Sequence, residues 1–227
     1  MTITERLEVD RFSPVASLTG SLISIGERFG DRFFWHYSDS PYVVLVAEFF
    51  LRRTNRTTVS RCLPAFFKRF PGADSLACAS PEDVVAEASW AGLRRRTSHL
   101  PEVARAFLSK PEWSAATLAE LPHIGPYAAG AIALYGFGEP NFPIDNNVKR
   151  VLSRFLSLET EDAIAAHAQR VCDTALCIGG LEAVQAAHRG ALALGWDSCR
   201  VVPRCHGCPL RDRCAWREEG TNHGNGH

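Results

Sequence analysis

The sequence predicts an all-α protein, and three observations carry that prediction. Apolar residues recur at helical spacing along much of the chain, helix start signals precede several of those stretches, and no segment joins sustained alternation to hairpin turn chemistry. A chain of 227 residues buries a real core as one domain or as two small ones.

Taken in chain order, the first residues, MTITERLEVDRF, are charged and hold no apolar leader. No later run approaches the roughly 18 apolar residues of a membrane span, so a soluble intracellular chain with no membrane association is expected. DSPYVVLVAEFFLRRT reads as a helix apolar on nearly every face, and from Tyr42 to Leu51 Glu48 is its one ionisable side chain besides Tyr42. A carboxylate there is paired in a salt bridge or sits in a cleft with a raised pKa, and a site residue is the favoured reading. Arg52, Arg53 and Thr54 follow at the helix end, within reach of a ligand. Ser80-Pro81-Glu82-Asp83 supplies an N-cap, a proline at N1 and acids in the first turn of another helix.

SAATLAELPHIGPYAAGAIALYGF reads as a helix-hairpin-helix. Ser114 caps a first helix ending near Pro122, Gly125 turns the chain, and Pro126 fits N1 of a second helix. Ala128, Ala129, Gly130 and Ala131 allow close helix approach. The hairpin aims backbone N–H groups and a positive helix end at one outside point, which suits a phosphate; a plain αα-turn is the alternative. FPIDNNVKR places Asp145 at the start of an amphipathic helix whose Val148, Val151, Leu152, Phe155 and Leu156 face inward, with Lys149, Arg150, Ser153 and Arg154 facing away. Asp145 is a good N-cap, and the same geometry lets a charged carboxylate face a developing cation. Leu181 to Leu194 shows a similar amphipathic pattern, and the polar tail 219–227 is expected to be disordered.

Charge is balanced, with 25 basic and 25 acidic residues, and gives no net attraction to nucleic acid. Only Lys68, Lys110 and Lys149 are lysines; the arginines group at Arg52, Arg53, Arg56 and Arg61, at Arg94 to Arg96, and across 200 to 217, where a solvated surface or phosphate contact explains them. Of 8 cysteines, Cys62, Cys78, Cys172 and Cys177 lie scattered and read as small buried hydrophobes. Cys199, Cys205, Cys208 and Cys214 read C-x5-C-x2-C-x5-C, a set able to hold zinc or an iron-sulfur cluster.

LPHIGPYAAGAI, PIDNNVKRVLSR and the closing cysteines, in that order, resemble the helix-hairpin-helix (HhH-GPD) DNA glycosylases that carry a 4Fe-4S cluster, over roughly residues 30 to 216. The group includes endonuclease III, MutY-type adenine glycosylases and glycosylases removing thymine from T:G mismatches. The resemblance implies a six-helix domain at 36–142 holding the helix-hairpin-helix (114–135), an iron-sulfur domain built from 1–35 and 143–218, and a DNA-binding cleft between them. It departs from the usual pattern in the first cysteine spacing, five rather than six, and in His123 at the hairpin's first glycine position, where a surface role is the plainer reading.

The implied activity is base excision by a monofunctional glycosylase in base excision repair, acting as a monomer on double-stranded DNA with a mismatched or damaged base, in a nucleoid-associated cytoplasmic setting. Asp145 stabilises the sugar cation and orients water, Asn147 positions both, and Glu48 hydrogen-bonds or protonates the departing base. Tyr127 lines the pocket where endonuclease III carries a lysine nucleophile, so little lyase activity is expected. Arg53 fills the vacated space; Arg52, His123, Gly125, Lys149, Arg200 and Arg204 contact DNA; the four cysteines hold the cluster. Trp35 and Tyr42 are weaker stacking candidates, with a core role preferred. Arg52 and Arg53, where adenine glycosylases usually carry glutamines, favour thymine or uracil opposite guanine. An adenine glycosylase is the nearest rival, disfavoured by the little sequence after Cys214, and a noncatalytic DNA-binding or redox-sensing module is the other.

Overall fold

The computed structural model describes residues 13–28, 30–38, 40–110 and 112–216. The tail 219–227 and the first residues, for which disorder and a soluble leaderless start were expected, lie outside them. Among the described residues every regular element is helical, and no helix is long and apolar enough to cross a membrane. The chain divides into two compact units, Met1–Gly30 with Pro140–His227, and Asp31–Glu139.

Among the described residues the unit made from the two chain ends holds three α-helices, α1 (Pro14–Arg28), α10 (Asn146–Leu156) and α11 (Glu161–Asp197), the last broken at Gly179 and Gly180. Helix α1 buries Val15, Leu18, Leu22 and Ile25 against α11. Backbones all but touch at the crossing: a Cβ on Gly26 would lie 1.8 Å from the Ala186 carbonyl oxygen, and one on Gly190 would lie 1.9 Å from that of Leu22. Only glycine permits this approach. The second half of α11 is buried on nearly every face, from Ala183 to Gly195, rather than amphipathic as its pattern suggested, because α1 covers one side and α10 another.

The other unit contains a 3-10 segment (Gly30–Tyr37), α2 (Pro41–Leu51), α3 (Arg56–Arg69), α4 (Ala73–Ala77), α5 (Pro81–Glu87), α6 (Arg94–Thr97), α7 (Leu100–Leu108), α8 (Ala115–Leu118) and α9 (Pro126–Gly136). Its core is built on Phe49, Phe50, Phe66 and Phe70, each at most 1 % exposed, and burial of each such ring is worth roughly 1.5–3 kcal/mol. Trp35 and Tyr42 belong to this core; the Tyr42 hydroxyl donates to the Phe70 carbonyl at 2.7 Å, and burial pushes its pKa up. Among the scattered cysteines, Cys172 is buried but Cys78 and Cys177 are exposed, because they fall near a helix end and beside the α11 break.

One buried polar residue of α11 reaches the segment that leads to Asp145. His188 is fully buried, its Nε2 donates to the Pro143 carbonyl at 3.0 Å, and the Phe142 ring meets it edge-on. Burial pushes its pKa down to about 3, opposed by the Pro143 hydrogen bond and helped by the Arg189 charge. An unfolded imidazole titrates near 6.5, so the unfolded chain binds the extra proton between those values. The stability this neutral group contributes is therefore present above about pH 6.5 and is lost on acidification, by up to about 1.4 kcal/mol per pH unit. His188→Gln, which keeps a donor for Pro143 but does not titrate, is expected to flatten the fall in urea midpoint between pH 7 and 4; an unchanged slope would refute the assignment.

Candidate functional site

Asp145 is the N-cap of α10. Its Oδ1 accepts from the backbone N–H groups of Asn147 and Val148, both at 2.8 Å, and its Oδ2 accepts from Asn147 Nδ2 at 2.6 Å. Three donors thus converge on one part-buried carboxylate at the positive end of a helix. The helix forms here because Asp145 caps it and because Val148, Val151, Leu152 and Phe155 recur on one buried face.

Arg150 and Arg154, read from sequence as facing away, instead point to the cysteine loop. Arg150 Nη2 donates to Asn147 Oδ1 at 2.8 Å and to the Gly195 carbonyl at 2.9 Å, while its Nε donates to the Cys199 carbonyl. Arg154 donates to the carbonyls of Arg200 (2.6 Å) and Val201 (3.0 Å), and its guanidinium lies 4.8 Å over the Trp216 ring. Gly195 is required beside this network: a Cβ there would stand 2.5 Å from Asn147 Cβ. The sequence signal for these roles is slight, since the backbone carbonyls they reach lie 45 to 49 residues away.

Cys199, Cys205, Cys208 and Cys214 are all part-exposed. Burial pushes the Cys208 thiol up, the Leu210 backbone hydrogen bond opposes this, and the neighbouring Cys199, Cys214 and Cys205 push it further. Arg200 and Arg204 are exposed on the connecting loop, with Val201 and Val202 each 80 % exposed between them. Lys149 is ion-paired to Glu161.

In the other unit Glu48 is 3 % exposed and its Oε1 lies 3.1 Å from His36 Nε2. The His36 ring stacks on Tyr135 with centroids 3.8 Å apart. Glu48 is therefore paired, and its partner His36 was absent from the sequence reading, which had no spacing rule joining a 3-10 segment to α2. Arg52 and Arg53 are exposed at the end of α2, where Arg52 Nη1 donates to the His123 carbonyl at 3.4 Å. Arg96 joins them: its guanidinium lies 4.3 Å over the Phe49 ring, and burial, then the charges of Arg52 and Arg53, push its pKa down to about 10.

The hairpin differs from its sequence reading in two respects. Its first helix is the single turn α8, capped by Ser114, and ends at Leu118 rather than near Pro122; beyond it the chain continues in tight turns, with Glu120 N–H donating to the Thr117 carbonyl and Leu121 N–H to that of Leu118. The left-handed turn residue is His123 (φ 62°), whereas Gly125 is extended (φ −94°, ψ 169°) and serves as N-cap of α9. Pro126 sits at N1 of α9, and the part-buried Tyr127 follows it.

Residues 46–173 match the HhH-GPD superfamily of base excision DNA repair proteins. The chain is 30% identical over 186 residues to an adenine DNA glycosylase of Mycobacterium tuberculosis, covering 80% of this chain and 61% of that protein, so it spans less than two thirds of that relative's length. It is 29% identical over 211 residues to a thymine-DNA glycosylase of Aeropyrum pernix, covering 89% of this chain and 95% of that protein. In fold it is similar to a thermostable thymine-DNA glycosylase, with a TM-score of 0.79, 20% identity, and coverage of 92% of this chain and 99% of the other.

The cap geometry sets a stability expectation. Asp145→Ala removes all three acceptor contacts and is expected to cost about 1 kcal/mol, within the range of about 0.5–2 for N-cap losses, in urea unfolding. Asp145→Asn retains a capping oxygen and should unfold within a few tenths of a kcal/mol of the parent chain.

Proposed function

We propose that this chain, which belongs to the HhH-GPD superfamily of base excision DNA repair proteins, is a monofunctional DNA glycosylase that hydrolyses the N-glycosidic bond of a mispaired base in duplex DNA, thymine or uracil opposite guanine. The observation that carries this reading is the Asp145 carboxylate, held by three donors at the start of α10. Breaking the bond from a base to C1′ gives the sugar oxocarbenium character, and a fixed carboxylate stabilises that charge without having to reorganise. Asp145 also orients the attacking water, and Asn147 fixes the rotation of the carboxylate through Oδ2.

Glu48 acts on the base: its carboxyl hydrogen-bonds or protonates the leaving group, with His36 as its partner. Extruding a nucleotide costs a few kcal/mol, least at a mispair, which supplies part of the selectivity. Arg53 occupies the space left in the stack. The convergence of Arg52, Arg53 and Arg96 beside the hairpin supports phosphate contact there, and Arg200 and Arg204 supply a second cationic stretch. Tyr127 has no amine to form an imine with the sugar, so water completes the reaction. Lys149, engaged with Glu161, leaves only feeble strand cutting.

Cys199, Cys205, Cys208 and Cys214 would hold a 4Fe-4S cluster. Cys199, Cys205 and Cys214 each act electrostatically on the Cys208 thiol, so the four thiolates that such a cluster needs are neighbours. Bound there, the cluster supplies a structural cross-link rather than bond-breaking chemistry, and Arg150 and Arg154 anchor the loop around it.

Single-turnover assays on duplexes carrying T:G, U:G, A:G and A opposite 8-oxoguanine test the reading. Thymine and uracil release is expected to be fastest, strand breaks to require alkali, and Asp145→Asn to lower the rate at least about 100-fold. Faster adenine release overturns the substrate, and cutting without alkali overturns the hydrolytic step. Arg154→Ala is expected to retain less iron per chain after gel filtration, read by metal analysis and visible absorption.

A further inference from the structure

A second group of metal-binding side chains lies away from the cysteines. His99 and Glu102, one turn apart at the start of α7, meet His123 of the hairpin, and one ligand atom from each lies within 4.8 Å of the other two. His99 Nδ1 stands 3.4 Å from Glu102 Oε2. A tetrahedral site with ligands at about 2.0–2.1 Å requires an edge of about 3.3 Å, so this pair already has the spacing. Bringing the widest pair in from 4.8 Å takes a shift of at most about 1.5 Å, within the swing of a surface imidazole. The two imidazoles stack, with centroids 4.1 Å apart at 27°.

A second observation points the same way. His123 holds φ 62°, a left-handed conformation that glycine adopts freely and that other residues adopt uncommonly, histidine being among the more frequent of them. Such strain persists where the surroundings over-determine it, and it gathers at ligand clamps. Here the strained residue is the one that carries the third donor.

We propose that His99, Glu102 and His123 form a binding site for a divalent transition metal, zinc being the ion that this donor set suits best, with its fourth position open to water. Two imidazoles and one carboxylate match the borderline character of Zn2+; Mg2+ and Ca2+ call for all-oxygen shells. The nearby charges of Arg52 and Arg96 oppose a cation, and the Glu102 carboxylate offsets them in part, which again selects an ion that bonds covalently to nitrogen over one held by charge alone. Bound metal would tie the hairpin to α7. The side chains of His99 and Glu102 are 45% and 55% exposed, so the site is open to ions from solution. The inference depends on neither the glycosylase reading nor the nature of the cysteine-bound group.

The test uses the full chain as purified, with its cysteine ligands occupied and its iron content recorded. Zinc chloride is titrated by calorimetry, cobalt chloride is followed by its visible absorption, and thermal midpoints are read with and without zinc. The parent chain is expected to take up one equivalent with an intense tetrahedral cobalt spectrum and a raised midpoint. His123→Gly, which also relieves the backbone, and Glu102→Gln are each expected to fold with an unchanged circular dichroism spectrum and to lose that equivalent, the cobalt spectrum and the midpoint shift. Absence of saturable uptake by the parent chain overturns the proposal. So does equal uptake by both variants, which would assign the metal to the cysteines.

Discussion

A continuous run of hydrogen bonds joins the Asp145 carboxylate to the cysteine loop, and the unit made from the two chain ends is organised around it. Asn147 donates to Asp145 and accepts from Arg150, and Arg150 in turn donates to the carbonyls of Gly195 and Cys199. One guanidinium thus fixes the side chain that orients the carboxylate, the C-terminal end of α11, and the backbone of the first cysteine. Arginine's planar fork allows this where a lysine ammonium would reach one partner at a time. The contacts are charge-assisted and part-buried, the class of hydrogen bond that contributes most per contact. Gly195 completes the arrangement by letting α11 pass so close to Asn147 that no side chain fits between.

The same economy of position appears one helix turn further on. Arg154 covers the loop carbonyls of Arg200 and Val201, so the two exposed valines and the arginines flanking them are displayed by a loop anchored at those two carbonyls. His188 plays the corresponding part on the other side of Asp145, holding Pro143 from within the core. The carboxylate is therefore braced from before and after its own position in the chain, by α11 in both cases. That explains why α11 is buried where its sequence looked amphipathic: polar residues on its second half, His188 among them, serve partners inside the unit.

Helical periodicity and capping chemistry made the architecture legible. Asp145, Ser80 and Ser114 are N-caps as their neighbours indicate, and each accepts from the first turn it caps. The inward face of α10 is Val148, Val151, Leu152 and Phe155, as its spacing requires. What stayed hidden depends on partners distant in sequence. A helical wheel assigns Arg150 and Arg154 to solvent because it sees one core, whereas α10 has a second neighbour in the cysteine loop. Glu48 was marked by being a lone carboxylate in an apolar helix, but nothing local named His36 as its partner. Gly125 attracted the turn assignment through its composition; the backbone placed the left-handed residue at His123, since the chain must reverse before Gly125 can cap α9 in an extended conformation.

The contrast between braced and exposed groups follows the work each has to do. A charge that stabilises a transition state gains most when its position is settled beforehand, because reorganisation during the reaction subtracts directly from the stabilisation. In the proposed reaction Asp145 meets that requirement through two backbone N–H groups, which do not move without unwinding the start of α10, and one side-chain amide, which Arg150 holds. Contacts to a phosphate backbone carry no such demand, since they act through long-range charge and tolerate many registers. Arg52, Arg53, Arg200 and Arg204 are exposed, held at most by single backbone contacts such as those of Arg52 and Arg200, so in the proposed reaction they would adjust to a deforming duplex. On that reading rigidity is concentrated where charge develops and withheld where the ligand itself must bend, and a chain with no net charge would meet an anionic polymer through local groupings of arginine rather than through its overall field.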